Sequence, residues 1–99
     1  MNTALKTDSF IVYGNCGMCK RRIEQAAKSI VGVKIANWDT ESQMLTLKYD
    51  EAVLSRNGKS LDNISIAVAE TGHDTQYYKA ENTAYEALPK CCLYERPEN

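Results

Sequence analysis

Tyr13-Gly14-Asn15-Cys16-Gly17-Met18-Cys19-Lys20-Arg21-Arg22-Ile23 joins the end of a short apolar run to the start of a helical pattern, with two thiols three residues apart at the junction. Backbone N–H groups at a helix start point outward and the helix dipole favours negative charge there, so both thiols are expected to ionise more readily than free cysteine. Lys20, Arg21 and Arg22 add positive charge that pushes the same way. Thiolates bind soft metals and attack disulfides. The stretch therefore narrows function to metal capture or thiol exchange.

Working outward, residues 8–13 are rich in β-branched and aromatic side chains, with Phe10 and Val12 on one face, and predict a strand that Gly14 and Asn15 break. On the other side Cys19, Ile23, Ala26, Ala27 and Ile30 recur at helical spacing, predicting a first helix that ends near Val31-Gly32. Residues 33–39 and 44–49 read as two strands of a hairpin joined by the polar turn Thr40-Glu41-Ser42-Gln43. Residues 50–59, containing Ser55-Arg56-Asn57-Gly58, read as a loop. Ser60 and Gly72 bracket a second helix, although Ile64-Ser65-Ile66-Ala67-Val68 also alternates and admits a strand. Residues 74–80, with Tyr77 and Tyr78, predict a short edge strand, and residues 83–88 a final helical turn or two begun at Asn82 and ended by Pro89.

That order predicts an α+β, ferredoxin-like βαββαβ sandwich: a four-stranded antiparallel sheet with two helices on one face, plus a short C-terminal helix. The expected core is Phe10, Val12, Ile23, Ile30, Leu45, Leu47, Ile64 and Val68. In such a fold the loop after the first strand and the loop after the second helix share an edge, which brings Cys16, Cys19 and His73 together. Trp38 and the six tyrosines read as sheet and core residues.

Ninety-nine residues suffice for one core and not two. A net charge of −1 argues against nucleic acid as the main partner. No apolar run approaches the roughly 20 residues that cross a bilayer, so no membrane insertion is expected. Residues 1–9 lack the apolar centre of a signal peptide. A cytoplasmic location is expected for a full-length chain and a periplasmic one for a mature exported form. Cys91 and Cys92 are adjacent, and so close a pair rarely bridges itself.

Over roughly residues 8–80 the chain resembles the heavy-metal-associated (HMA) domains of copper chaperones, mercury-binding periplasmic proteins and metal-transporting ATPases. The resemblance rests on Cys16-x-x-Cys19 after the first strand and Gly32-Val33 after the first helix, with Leu45-x-Leu47-x-Tyr49-Asp50 in the third strand and Gly72-His73-Asp74 after the second helix. It implies a carrier or metallochaperone, not an enzyme. One soft ion, Cu(I) first with Zn(II) or Hg(II) as alternatives, is held by Cys16 and Cys19 and passed by ligand exchange to a metal-transporting ATPase or another metal-carrying protein. A monomer is expected, with no catalytic residue.

Two features depart from the family pattern. Tyr13-Gly14-Asn15 stands where the family carries Gly-Met-x, with Met18 inside the motif instead. Residues 81–99 extend the HMA-like domain of residues 1–80 with a helical tail carrying Cys91-Cys92, expected to pack on the same domain. Cys91 or Cys92 is then an additional ligand candidate that would close a three- or four-sulfur site, or a second thiol pair serving the first. His73, the only histidine, is a further candidate, read more readily as a neighbour of the ligands than as one of them. The competing functions are a thiol-disulfide redox protein using Cys16 and Cys19, and a structural zinc module for protein interaction.

Overall fold

The computed structural model describes residues 5–97. Strand β1 (Lys6–Ile11) leads through an extended loop into helix α1 (Gly17–Lys28), followed by β2 (Val33–Trp38) and β3 (Met44–Tyr49). Three further helices follow, α2 (Glu51–Arg56), α3 (Leu61–Glu70) and α4 (Asn82–Glu86), and a 3₁₀ turn spans Lys90–Cys92. None of the described helices is long and apolar enough to cross a membrane.

The sheet has the order β1-β3-β2 and is antiparallel throughout, with Phe10 and Trp38 both opposite Leu45. Period-two alternation buries Leu45, Leu47 and Tyr49 of β3 while Met44 and Lys48 stay exposed. That buried face forms one cluster with Cys19, Ile23 and Ala27 of α1 and Ile64 and Val68 of α3, so both helices cover it. All the expected core residues lie in this cluster, Ile30 at its margin. Trp38 is fully buried, and its indole N–H donates to the carbonyls of Val12 at 2.9 Å and Gln43 at 3.1 Å.

The predicted fourth strand forms only one bridge. Tyr13 N–H donates to the Asp74 carbonyl and Gln76 N–H to the Ile11 carbonyl, each at 2.8 Å, around the single pair Val12–Thr75. Beyond it the segment curls, because side chains capture the amides that a ladder would use. Thr75 Oγ1 accepts from Tyr78 N–H at 2.8 Å and Tyr77 N–H at 3.2 Å, while Asp74 Oδ1 accepts from Ala80 N–H at 2.7 Å. The described sheet is therefore three-stranded, not four-stranded.

The expected loop at 50–59 contains α2, because the Asp50 carboxylate caps it by accepting from Ala52 and Val53 N–H. Helix α3 runs where expected and opens with a reciprocal Ser60–Asn63 capping box. Gly72 closes the turn after it at φ +108°, and a Cβ there would come within 2.7 Å of the Ala84 carbonyl oxygen. Its missing side chain is what lets α4 cross tightly over the segment that leads to His73.

Candidate metal centre

The loop between β1 and α1 is held down by a glycine contact. A Cβ on Gly14 would come within 3.0 Å of the Trp38 ring and 3.3 Å of Cys19 Cβ, so only glycine lets the backbone pass this close. Cys16 is the N-cap residue of α1 and half-buried; Cys19, in the first turn, is fully buried.

The C-terminal segment returns to this point. Leu88, Cys92 and Tyr94 are all buried in the core cluster. Tyr94 anchors the return: its hydroxyl donates to the Gly72 carbonyl at 2.8 Å and accepts from Asp74 N–H at 2.7 Å. Tyr85 donates to the Tyr94 carbonyl at 2.6 Å and meets the Tyr94 ring edge-on. Arg96 forks onto Asp74, with Nε and Nη2 each 2.8 Å from a carboxylate oxygen, donates to the Ala80 carbonyl, and lies over the Tyr85 ring. Asn15 Nδ2 completes the attachment by donating to the carbonyls of Cys91 at 3.2 Å and Leu93 at 3.4 Å.

Three sulfurs converge as a result. Cys16 Sγ lies 3.8 Å from Cys19 Sγ and 3.7 Å from Cys92 Sγ, and all three sit within 4.8 Å of one another. Metal–thiolate bonds of about 2.3 Å span sulfurs about 3.8 Å apart at tetrahedral angles and about 4.0 Å apart in a trigonal plane. Both separations from Cys16 Sγ fit sulfurs that share one ion, and Cys19 Sγ and Cys92 Sγ lie within 4.8 Å of each other.

The thiols are not equivalent. The amide dipoles of Cys19 and Met18, aimed at the Cys16 sulfur from the helix start, pull its pKa down to about 7. Burial, and next the Cys92 side chain, push Cys19 up to about 12. Cys16 therefore ionises before Cys19, and its sulfur is the one close to both others.

The remaining candidates take different places. Cys91 is exposed, with its thiol 3.5 Å from the Met18 thioether and outside the trio. His73 is fully buried and its Nδ1–H faces the Tyr13 carbonyl at 2.9 Å. Its ring stacks on Tyr94, and burial, reinforced by the nearby Arg22 charge, lowers its pKa, so the imidazole is neutral. The free Nε2 lone pair meets Arg22 Nη1 at 3.5 Å instead of a sulfur.

Arg22 is the residue whose role sequence reading underestimated. Nη1 reaches Cys92 Sγ at 3.3 Å, so one guanidinium bridges the histidine and the third thiol. The signal was its i, i+3 spacing from Cys19, which puts it on the same side of α1. Lys20, by contrast, turns away from the thiols to Glu24, Asn37 and the Trp38 carbonyl, tying α1 to β2.

No protein-family model and no curated protein sequence matches the chain. Solved structures do. A CopZ metallochaperone superposes with a TM-score of 0.63 at 25% identity, over 71% of this chain and 98% of that one. The water-soluble region of the P-type ATPase CopA from Bacillus subtilis superposes at 0.64 with 25% identity, over 76% of this chain and 47% of that one. Oxidized MerP from Ralstonia metallidurans CH34 superposes at 0.63 with 22% identity, over 74% and 96%, a likeness of fold alone. With its Cys16-x-x-Cys19 pair between the first strand and the first helix, the chain is similar to the heavy-metal-associated domain family, and it carries in addition a C-terminal segment with Cys91 and Cys92.

Proposed function

We propose that the protein is a soft-metal carrier that holds one ion, Cu(I) first among the candidates, on the thiolates of Cys16, Cys19 and Cys92, and releases it by ligand exchange. The convergence of three sulfurs from segments 73 to 76 residues apart carries this reading. The similarity to a metallochaperone and to a P-type ATPase region supports it and suggests such an ATPase as the receiving partner.

The chemistry follows from the inequality of the thiols. Cys16, ionised near neutrality, makes the first bond to an arriving ion. The cation then offsets the burial that keeps Cys19 protonated, the Cys19 proton leaves to water, and a second bond forms. Cys92 closes the site as its thiol likewise gives its proton to water, with Arg22 offsetting part of the negative charge that accumulates on the sulfurs. Soft sulfur donors exclude Mg(II) and Ca(II). A third sulfur holds the ion more tightly than a two-thiol carrier and slows its transfer. On this reading residues 81–97 are not a separate unit; they complete the site of the HMA-like domain as a monomer.

The reading distinguishes itself from a structural zinc module through the core. Phe10, Trp38, Leu45, Leu47, Ile64 and Val68 are buried without reference to any ion, so the metal-free chain is expected to stay folded. Cys16→Ser should weaken Cu(I) binding most in a competition titration, because Cys16 Sγ is the sulfur close to both others. Cys19→Ser should weaken it too while leaving Cys16 and Cys92 as a pair, with the far-ultraviolet circular dichroism of the reduced chain unchanged in both variants. Full affinity in either variant would refute the assignment.

A further inference from the structure

Two more sulfurs lie against each other just outside the trio. The Cys91 thiol meets the Met18 thioether at 3.5 Å, Met18 is 54% exposed, and Cys91 is exposed as well. They come from the same two segments that supply the inner sulfurs: Met18 lies between Cys16 and Cys19, and Cys91 precedes Cys92 in the 3₁₀ turn. Asn15 pins these segments together through the Cys91 and Leu93 carbonyls, so the meeting of the outer pair does not depend on sulfur contacts alone. Cys91 is joined directly to Cys92, whose Sγ lies 3.7 Å from Cys16 Sγ, and Met18 lies two residues after Cys16, so the outer pair adjoins the inner trio through both segments.

We propose that Cys91 and Met18 form a second, outward-facing site for a soft monovalent cation, adjoining the three-thiol site at Cys16. The inference deepens the soft-metal reading and rests on it. A thioether is a soft, uncharged donor, suited to Cu(I) or Ag(I) and unable to offset the charge of a strongly hydrated divalent ion. Methionine is unbranched and flexible, so the two sulfurs can part from contact to the wider spacing across a two-coordinate ion. On loading, the Cys91 thiol gives its proton to water as its sulfur–metal bond forms, and Met18 donates a lone pair. On passage inward, the Cys16 thiolate bonds to the ion as the Met18 bond breaks. The Cys91 bond breaks next, and Cys91 takes a proton back from water. The metal keeps its oxidation state throughout.

Ag(I) titration of the reduced chain, followed by native mass spectrometry and by the methionine ε-methyl NMR signals, tests this. The expected result is two bound Ag(I), with the Met18 methyl signal, assigned through Met18→Leu, shifting as the outer site fills. Met18→Leu and Cys91→Ser should each keep one equivalent and lose the other. A wild-type chain that saturates at one Ag(I), or a Met18 methyl that stays still through two equivalents, overturns the outer site and leaves the inner one standing. A Cys16→Ser chain that still binds two equivalents overturns the inner-site reading and this proposal with it.

Discussion

Cys92→Ser is expected to weaken Zn(II) binding by roughly two to three orders of magnitude, because four-ligand zinc sites contribute about 10–16 kcal/mol, or ~3–4 kcal/mol per ligand. Cu(I) should lose much less, since a monovalent soft ion can fall back on two thiolates in a linear arrangement at Cys16 and Cys19. The asymmetry follows from geometry. Cys92 Sγ is 3.7 Å from Cys16 Sγ and buried, so its loss removes one corner of a three-sulfur site and leaves the helix-borne pair untouched. Chelator competition on the reduced chain measures both constants. Equal losses for the two ions, or none for either, would show that the tail does not close the site.

The second large effect concerns what holds Cys92 there. Arg96→Met is expected to cost about 3–5 kcal/mol in denaturant unfolding, because it strands the Asp74 carboxylate as an unpaired buried charge. Asp74 is 1% exposed, and its only salt-bridge partner among the described residues is Arg96, at 18% side-chain exposure. Burial by itself would raise the Asp74 pKa, yet the Arg96 fork and the Ala80 N–H hold it below the usual carboxylate value. A lowered native pKa means the stabilisation is fully present above the unfolded value of about 3.9 and fades as pH falls through the native one. Acid titration of wild type should show that loss, and Arg96→Met should flatten it. Adding Asp74→Asn to Arg96→Met should recover part of the stability, since no buried charge then remains. A loss below about 1 kcal/mol, as for an exposed ion pair, would contradict the clamp.

These two results connect, because the residues of the clamp and the third sulfur lie on one short segment. Tyr94 and Arg96 stand two and four residues after Cys92, and they bind the chain on either side of His73, whose imidazole meets Arg22. Loosening Arg96 should thus weaken Zn(II) in the same sense as removing Cys92.

Much of this was legible in the sequence where periodicity ran long enough. The alternation of Leu45, Leu47 and Tyr49 and the three-and-four spacing of Cys19, Ile23 and Ala27 fixed β3 and α1 in the right place and on the right face. Short elements were less legible. Helix α2 has only six residues, and the turn signal of Asn57-Gly58 masked the cap that Asp50 supplies. Tyr77 and Tyr78 carry strand propensity, but propensity does not register that Thr75 and Asp74 take the amides a ladder needs. The site was half legible. Cys16-x-x-Cys19 declares itself by local spacing, whereas the choice of Cys92 over Cys91 depends on how the turn after Pro89 directs two adjacent side chains. That direction is set by Tyr94 and Arg96 reaching Gly72 and Asp74, contacts about 22 residues distant that no local pattern encodes.

The most direct measurement is X-ray absorption on the reduced, Cu(I)-loaded chain at one equivalent, which counts the sulfur neighbours of the ion. Three sulfurs at about 2.3 Å, falling to two in Cys92→Ser, is the predicted outcome. Two sulfurs in wild type, unchanged by the substitution, would contradict it.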